Sequence, residues 1–498
     1  MPAPPILVVG AGPTGLVLAL RLARHGTRFR IVDARSGPGE ASRAIAVHTR
    51  TLEFYDQMEI ADAVISGGMK AEVLRVRKRG KDVARLRFGN IGAGISPYPF
   101  VLCYPQDDHE RFLVARLAEA GVAVEWNTRL DAIAQDDEGV TATLGGAPAR
   151  FAHVCGCDGA RSQVRESLGL DFPGGTYEQL FYVADVELAE SVGTDICINL
   201  GVGSFALLMP VRSSGGHRLI GAVRPGITRD DVDFEDIRGE VEPLLGIAVN
   251  RVNWFSTYRV HHRVAAHFRV GRCFLAGDAG HIHSPAGGQG MNTGIGDAVN
   301  LAWKLAAVVA GTAPAALLDS YEVERIAFAR TLVATTDRAF EAVTGAGLGG
   351  RLVRSWVFSY VLPLLTGFAP VRRAMFRAVS QVRINYRESL LSGGSAGGVA
   401  GGDRLPWAVC EGADNFAPLR AMAWQVHVYG VVTPEFAAVV EAMGVTLHVF
   451  VWCAAAERAG LMRDAAYLVR PDGYVALAQA RQDGEALRAY PWARGGLT

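Results

Sequence analysis

Residues Pro4 to Arg35 read "PPILVVGAGPTGLVLALRLARHGTRFRIVDAR", and this stretch decides the fold class. Ile6 to Val9 form a fully apolar run, the pattern of a parallel strand buried on both faces. Gly10, Gly12 and Gly15 then spell GxGxxG, and Leu16 to Ala23 continue at helical spacing. A second apolar strand, Phe29 to Val32, ends on Asp33, 23 residues after the first glycine, against about 20 expected of a dinucleotide fingerprint. Gly10 permits the tight turn, Gly12 lets a pyrophosphate approach the backbone, and Gly15 allows close packing of helix on strand. The helix N-terminus faces the phosphate charge, flanked by Pro13 and Thr14. Asp33, followed by Ala34 and Arg35, is placed to accept from ribose hydroxyls. A dinucleotide is expected; NAD and FAD both fit this element.

A second glycine-dense stretch, "GDAGHIHSPAGGQGMN" from Gly277 to Asn292, separates them. The preceding run Cys273 to Ala276 reads as a strand that delivers Asp278 at its carboxyl end, where open α/β sheets bind ligands. Asp278 is there to hold a polyol such as a ribityl chain. Pro285, Gly287, Gly288 and Gly290 lead into a helix from Thr293 to about Val309. Bare amides at a helix N-terminus make an anion nest, which suits a flavin ring that must be approached closely and carries negative charge when reduced. An NAD domain has no use for this second element, so FAD is the expected cofactor.

The remaining composition narrows the class. The chain has 498 residues, 50% hydrophobic and 20% charged, with 50 basic and 50 acidic side chains. Zero net charge argues against a nucleic-acid partner. The seven cysteines include no CxxC pair; they read as buried small hydrophobes in a reducing compartment, with Cys453 standing alone. The N-terminus carries no signal-peptide pattern. Ser355 to Val371 has no charged residue, but prolines and a glycine interrupt it and it falls short of the roughly 20 residues of a span. A buried or interfacial helix pair is expected there, in a soluble cytoplasmic protein. His281 and His283 alternate as metal ligands could, yet no third ligand follows at metal spacing, so no metal is expected.

Between the two glycine blocks, "CGCDGARSQVR" runs from Cys155 to Arg165. With this "DG" element the chain resembles the class A flavoprotein aromatic hydroxylases, the single-component FAD-dependent phenol monooxygenases, with the polyketide- and phenol-hydroxylase branches nearest. Three motifs occur in the family's order, and the resemblance covers essentially the whole chain. It implies that Asp158 and Gly159 lie where FAD meets the path of NADH or NADPH. It implies FAD contacts at Arg43 and Gln106, with Arg111 approaching, while Arg161 and Arg165 can equally pair with surface carboxylates. Pro285 resembles the proline beside the flavin where oxygen reacts, and with Gly288 would form the catalytic edge. Gly288, Met291 and Asn292 match the amide-rich stretch at the ring's pyrimidine side. Gly280 stands where the family commonly has alanine.

The implied fold is α/β. A doubly wound FAD-binding domain (1–173, with 73–100 contributing to the substrate domain) is interrupted by an antiparallel-sheet substrate domain (174–268). The FAD-binding domain resumes at 269–391 with a helical segment. A glycine-rich linker and a thioredoxin-like domain follow (392–498); lacking CxxC, that domain has no expected redox role. It would pack on the main body or against a partner subunit, giving a homodimer.

Short alternating runs between Gly174 and Phe268 predict the sheet that covers the substrate. Phe205, Leu207, Met209, Val223 and Tyr258 are its candidate contacts. Of His261 and His262, adjacent on a strand, at most one can face the pocket. The implied activity is NAD(P)H- and O2-dependent hydroxylation of a phenolic aromatic compound, through oxygen added at flavin C4a; a fused-ring polyketide and a one-ring phenol both fit. A flavin oxidase or dehydrogenase, or a non-catalytic flavin-bound accessory protein, are the alternatives. The flavin-halogenase WxWxIP signature is absent.

Overall fold

The apolar run Ile6–Val9 becomes an interior strand of a five-stranded sheet, with every residue buried. Phe29–Val32 pairs with it in parallel on one side and His153–Gly156 on the other; Cys273–Leu275 pairs beyond, again parallel. Arg269–Val270 closes the edge as the one antiparallel member. Because four strands run the same way, their carboxyl ends coincide. Gly10, Asp33, Cys157–Asp158 and Gly277–Asp278, far apart in the chain, therefore meet along one edge. The computed structural model describes residues 5–39, 44–78, 80–88, 92–190, 192–201, 204–223, 231–284, 288–344 and 368–492.

The helices Pro13–Arg24 and Gly290–Val309 pack together above that edge. Gly277 is left-handed, and a Cβ there would sit 2.6 Å from Thr14 Oγ1; a Cβ on Gly294 would also strike Thr14. These two glycines let strand, first helix and last helix come into contact. Leu130–Gln135, Val140–Leu144 and Ala147–Phe151 form a small antiparallel sheet on the flank.

An eight-stranded sheet follows, in which the long strands Gly174–Leu188 and Val249–Val264 pair with each other toward one edge. Ile196–Leu200, Phe205–Pro210 and His217–Ala222 extend it, Val73–Lys78 and Lys81–Arg87 from earlier in the chain close one edge, and His281–Ile282 closes the other. Alternation gives it two faces. Tyr182, Ala184, Leu208 and Leu219 pack outward on Ile237 and Val241 of the helix Phe234–Leu245. Leu207 and Ile220, paired in register, point the other way into the cavity.

The C-terminal unit has thioredoxin-like topology. Gln425–Tyr429 and Thr446–Phe450 are parallel, joined by the helix Pro434–Ala442, and Ala466–Val469 and Val475–Gln479 continue antiparallel before the helix Gly484–Ala489. Two expectations are corrected here. Ser392–Asp403 is not a flexible linker: Gly393–Ala396 adds to the sheet in parallel with Val475–Gln479, and Val399–Ala400 folds back on it. Its glycines serve packing; Gly394 and Gly402 are left-handed, and a Cβ on Gly402 would run into the Tyr386–Arg387 backbone. Cys453 does not stand alone, because it forms a disulfide with Cys410. The other five cysteines are free and buried, as expected.

This unit is locked to the body by buried charge. Arg470 donates to both Glu324 oxygens (2.7 and 3.0 Å), and Arg404 donates to both Glu53 oxygens (2.8 and 2.5 Å). Lys304 and Asn300 share Glu324, and Arg50 and Ser96 share Glu53. Removing one member would strand a buried charge, at a cost of about 3–5 kcal/mol. Among the described residues no helix is long and apolar enough to cross a membrane. Most of Ser355 to Val371 lies outside the described residues.

Candidate active site

One cavity of about 1180 Å³ runs between the parallel sheet and the eight-stranded sheet. At one end it is lined by backbone and polar groups. Gly10, Gly12, Pro13, Thr14, Asp33, Ala34, Arg35, Gln106, Asp158, Gly159, Asp278, Gly288, Gly290 and Met291 all border it. Both helices that point into it start without a capping side chain: Gly12 caps Pro13–Arg24, and Gln289 caps Gly290–Val309 with no side-chain bond. Their first-turn amides are left for a ligand. Gly12 and Gly159 have nothing within 4 Å of where a Cβ would stand, so their bare backbones face open space. Gly10 is left-handed and abuts the Cys157 carbonyl, which excludes any side chain there.

The acids divide into two kinds. Asp33 is already engaged: Oδ2 accepts from the Ala11 amide (2.7 Å), and Arg35 binds both oxygens through its backbone and guanidinium. Burial opposes the charged form, but Arg35 and the Ala11 and Arg35 amides outweigh it and hold the carboxyl below its usual range. Glu110, missed in the sequence, braces the same corner. It accepts from Gln106 Nε2 (2.8 Å), the Gly39 amide (2.9 Å) and Arg35 (3.3 Å). Asp278 is the opposite kind. Protein surrounds it, yet its side chain opens into the cavity; burial pushes its carboxyl up, and His281 only partly offsets this. Asp158 is likewise raised by burial despite the Val164 amide at 3.1 Å, and its Oδ1 is buried without a partner. These two carboxyls suit hydroxyl donors. Glycine cradles, uncapped helix ends and hydroxyl-seeking acids together fit a flavin dinucleotide.

Several expected contacts lie elsewhere. Gly15 and Gly277 shape the backbone without bordering the cavity. Asn292 is fully buried behind it, where it accepts from His48 N (2.8 Å) and Thr51 Oγ1 (2.7 Å) and donates to Ala46 O and Gly288 O. It carries the wall rather than forming it. Arg111 points away and pairs with Asp107 and Asp108 on the surface. Arg165 is not a surface residue: it is buried and donates to Ala279 O and Ala160 O, both at 2.9 Å, tying the DG element to the GD turn. Arg43, Pro285 and Gly287 lie outside the described residues.

The cavity's other end is aliphatic. Leu74, Phe88, Ile196, Ile198, Leu207, Met209 and Ile220 line it, with Tyr258, Val260 and His261 along one side. Leu207, Met209 and Tyr258 were expected; the strand partners were not. Phe205 and Val223 are corrected. Phe205 sits beyond the cavity against Phe181, and Val223 packs in the core behind the sheet. His261 borders the cavity while His262 turns to Tyr177. The buried Arg218 above Met209 is neutralised by Asp185 through two 2.8 Å bonds. His281 and His283 stack on each other, and among the described residues no His, Cys, Asp and Glu group could hold a metal.

Comparison with known proteins agrees with this geometry. Residues 4–336 match the family model described as "FAD binding domain". The chain is 38% identical over 418 residues to 6-methylpretetramide 4-monooxygenase of Streptomyces rimosus, covering 80% of this chain and 72% of that protein. It is 32% identical to pentachlorophenol 4-monooxygenase of Sphingobium chlorophenolicum, covering 80% and 75%. The solved structure of the anhydrotetracycline hydroxylase OxyS from Streptomyces rimosus superposes with a TM-score of 0.79 at 29% identity, over 99% of this chain and all of that one. With two thirds of its length matched by that family model and these monooxygenases as relatives, the chain belongs to the FAD-binding-domain family and is an FAD-dependent aromatic monooxygenase.

Proposed function

We propose that this monooxygenase hydroxylates an uncharged, fused-ring phenolic compound of polyketide type, using NAD(P)H and O2 in the cytoplasm. The observation that carries this is the substrate wall, seven aliphatic or aromatic side chains, with the buried Arg218 beside Met209 already paired to Asp185. Such a wall offers a flat apolar ligand large contact, and none of its seven side chains offers a benzoate a counter-charge. A carboxylate there would lose its hydration without a partner.

FAD, when bound, supplies the redox and oxygen chemistry; the chain supplies position and dryness. The Thr14 amide and the Gly12 backbone would take the pyrophosphate, and Asp278 would accept from the polyol. Gly288, Gly290 and Met291 would present bare amides to the ring. Leu207, Met209 and Ile220 would help keep water from the substrate end of the cavity.

The test is absorbance titration of the oxidised flavoprotein with a panel of phenols, followed by oxygen consumption with NADPH and NADH. Tetracyclic phenols are expected to perturb the flavin spectrum at micromolar concentration and to be hydroxylated. Binding of 4-hydroxybenzoate in preference to every fused-ring ligand would sink the proposal.

A further inference from the structure

Asp297 belongs to no motif read above and does not border the cavity, yet it accepts three hydrogen bonds beside the cofactor end. It lies in the second turn of the helix Gly290–Val309, fully buried. Oδ2 accepts from the Gly277 amide (2.9 Å) and from His281 Nε2 (2.7 Å), and Oδ1 accepts from Arg325 Nε (2.6 Å). Gly277 immediately precedes Asp278 and His281 follows three residues later. One carboxylate therefore grips both ends of the turn that carries Asp278.

The turn has other supports: Thr14 presses on Gly277, and Arg165 holds the Ala279 carbonyl. Neither reaches both ends, and neither brings a negative charge. A buried carboxylate is a costly way to close a core, since an apolar group of its volume is often as stable. Here the charge is kept: burial opposes it, but Arg325, His281 and the Gly277 amide hold the Asp297 carboxyl below its usual range. Arg325 is itself fixed by the Thr293 carbonyl (3.1 Å) and the Tyr386 hydroxyl (2.9 Å). The Tyr386 ring packs on Tyr474 of the thioredoxin-like unit, with centroids 4.3 Å apart. Contacts thus run unbroken from the C-terminal unit to the cofactor turn without entering the cavity.

We propose that Asp297 is a positioning residue for the flavin: anchored through Arg325 and Tyr386 to the C-terminal unit, it aims Asp278 at the cofactor. The proposal rests on the assignment of Asp278 to the FAD polyol. A merely structural residue and a positioning residue differ in coupling, because only the latter acts through Asp278.

The experiment is a double-mutant cycle on the deflavinated full-length protein, read by quenching of FAD fluorescence. Asp278→Asn and Asp297→Asn are each expected to weaken FAD binding about tenfold or more, and the double variant no further than Asp278→Asn alone. Losses that multiply in the double variant overturn the proposal. Should Asp297→Asn not fold, Tyr386→Phe removes one hydroxyl and keeps the packing. It is expected to weaken FAD about threefold in the parent and not at all beside Asp278→Asn. A lower Tm with unchanged FAD affinity for Tyr386→Phe overturns the proposal. Parent-like FAD binding by Asp278→Asn would instead overturn the assignment of Asp278.

Discussion

The two ends of the cavity are built on opposite principles. The cofactor end is made of backbone: glycines at strand ends, two uncapped helix starts, and a few acids held by amides. The substrate end is made of side chains: aliphatic groups from four strands of one sheet, none of them chemically distinctive, with Phe88 beside them. Backbone recognition tolerates little change at its glycines: a Cβ on Gly10 would strike the Cys157 carbonyl, and one on Gly12 or Gly159 would stand in the open space left for the ligand. Side-chain recognition tolerates much, because a wall can be recut one residue at a time while the sheet keeps its hydrogen bonds. A fixed oxidising end and an adjustable binding end therefore coexist in one cavity.

The largest expected effect breaks the rigid end. Gly10→Ala places a methyl group against the Cys157 carbonyl at a left-handed φ of 102°. Backbone strain and overpacking together cost about 2–5 kcal/mol. Purified protein should carry no flavin, and FAD affinity in titration should fall by about 100-fold or more. Normal flavin content would mean that the strand-end glycine is not the constraint described here.

A smaller effect should be confined to the adjustable end. Leu207→Trp fills the space beside Ile220 without touching a glycine or an acid. Binding of a fused-ring phenol should weaken about tenfold or more, with FAD affinity changed less than about twofold. Phe205→Ala, on the same strand but past the cavity edge, should leave phenol binding within about twofold. Equal losses for the two variants would show that the wall does not end where the structure ends it.

The same contrast explains what the sequence revealed. Cofactor residues are legible because glycine, proline and acid requirements are local, and strand–turn–helix order shows where they act. Gly10, Gly12, Asp33, Asp158 and Asp278 all fall on the cavity edge for that reason. Substrate residues depend on which face of a strand turns inward and on its register, and a one-residue slip inverts both. Leu207 and Met209 could be named, but their neighbours Ile220, Ile198, Ile196 and Leu74 follow only from pairing between distant segments. Asn292 misled for another reason: it sits in the motif, but the helix turns its amide toward His48 and Thr51. The Ser392–Asp403 glycines looked flexible by composition, whereas close backbone packing requires them.

The smallest effect sharpens the comparison at Asp278, where the cofactor end is tuned at the expense of the apoprotein. Burial raises its carboxyl above the usual aspartate range, and neighbouring Asp297 adds to the rise. A raised folded-state pKa means that this group favours folding below the unfolded value near 3.8. That contribution is lost as pH climbs through the folded value. At neutral pH the FAD-free protein thus holds an ionised carboxylate in a place that disfavours it, tempered by water in the cavity. Asp278→Asn should raise the Tm of the apoprotein at pH 7 by about 1–2 °C, and the gain should shrink as pH falls toward 4. With FAD bound the order should reverse, because the parent then gains a polyol contact that the amide makes less well. Scanning calorimetry of both proteins, with and without FAD at two pH values, checks all four expectations. A gain that grows in acid would mean that the carboxylate is stabilised, not strained, before the cofactor arrives.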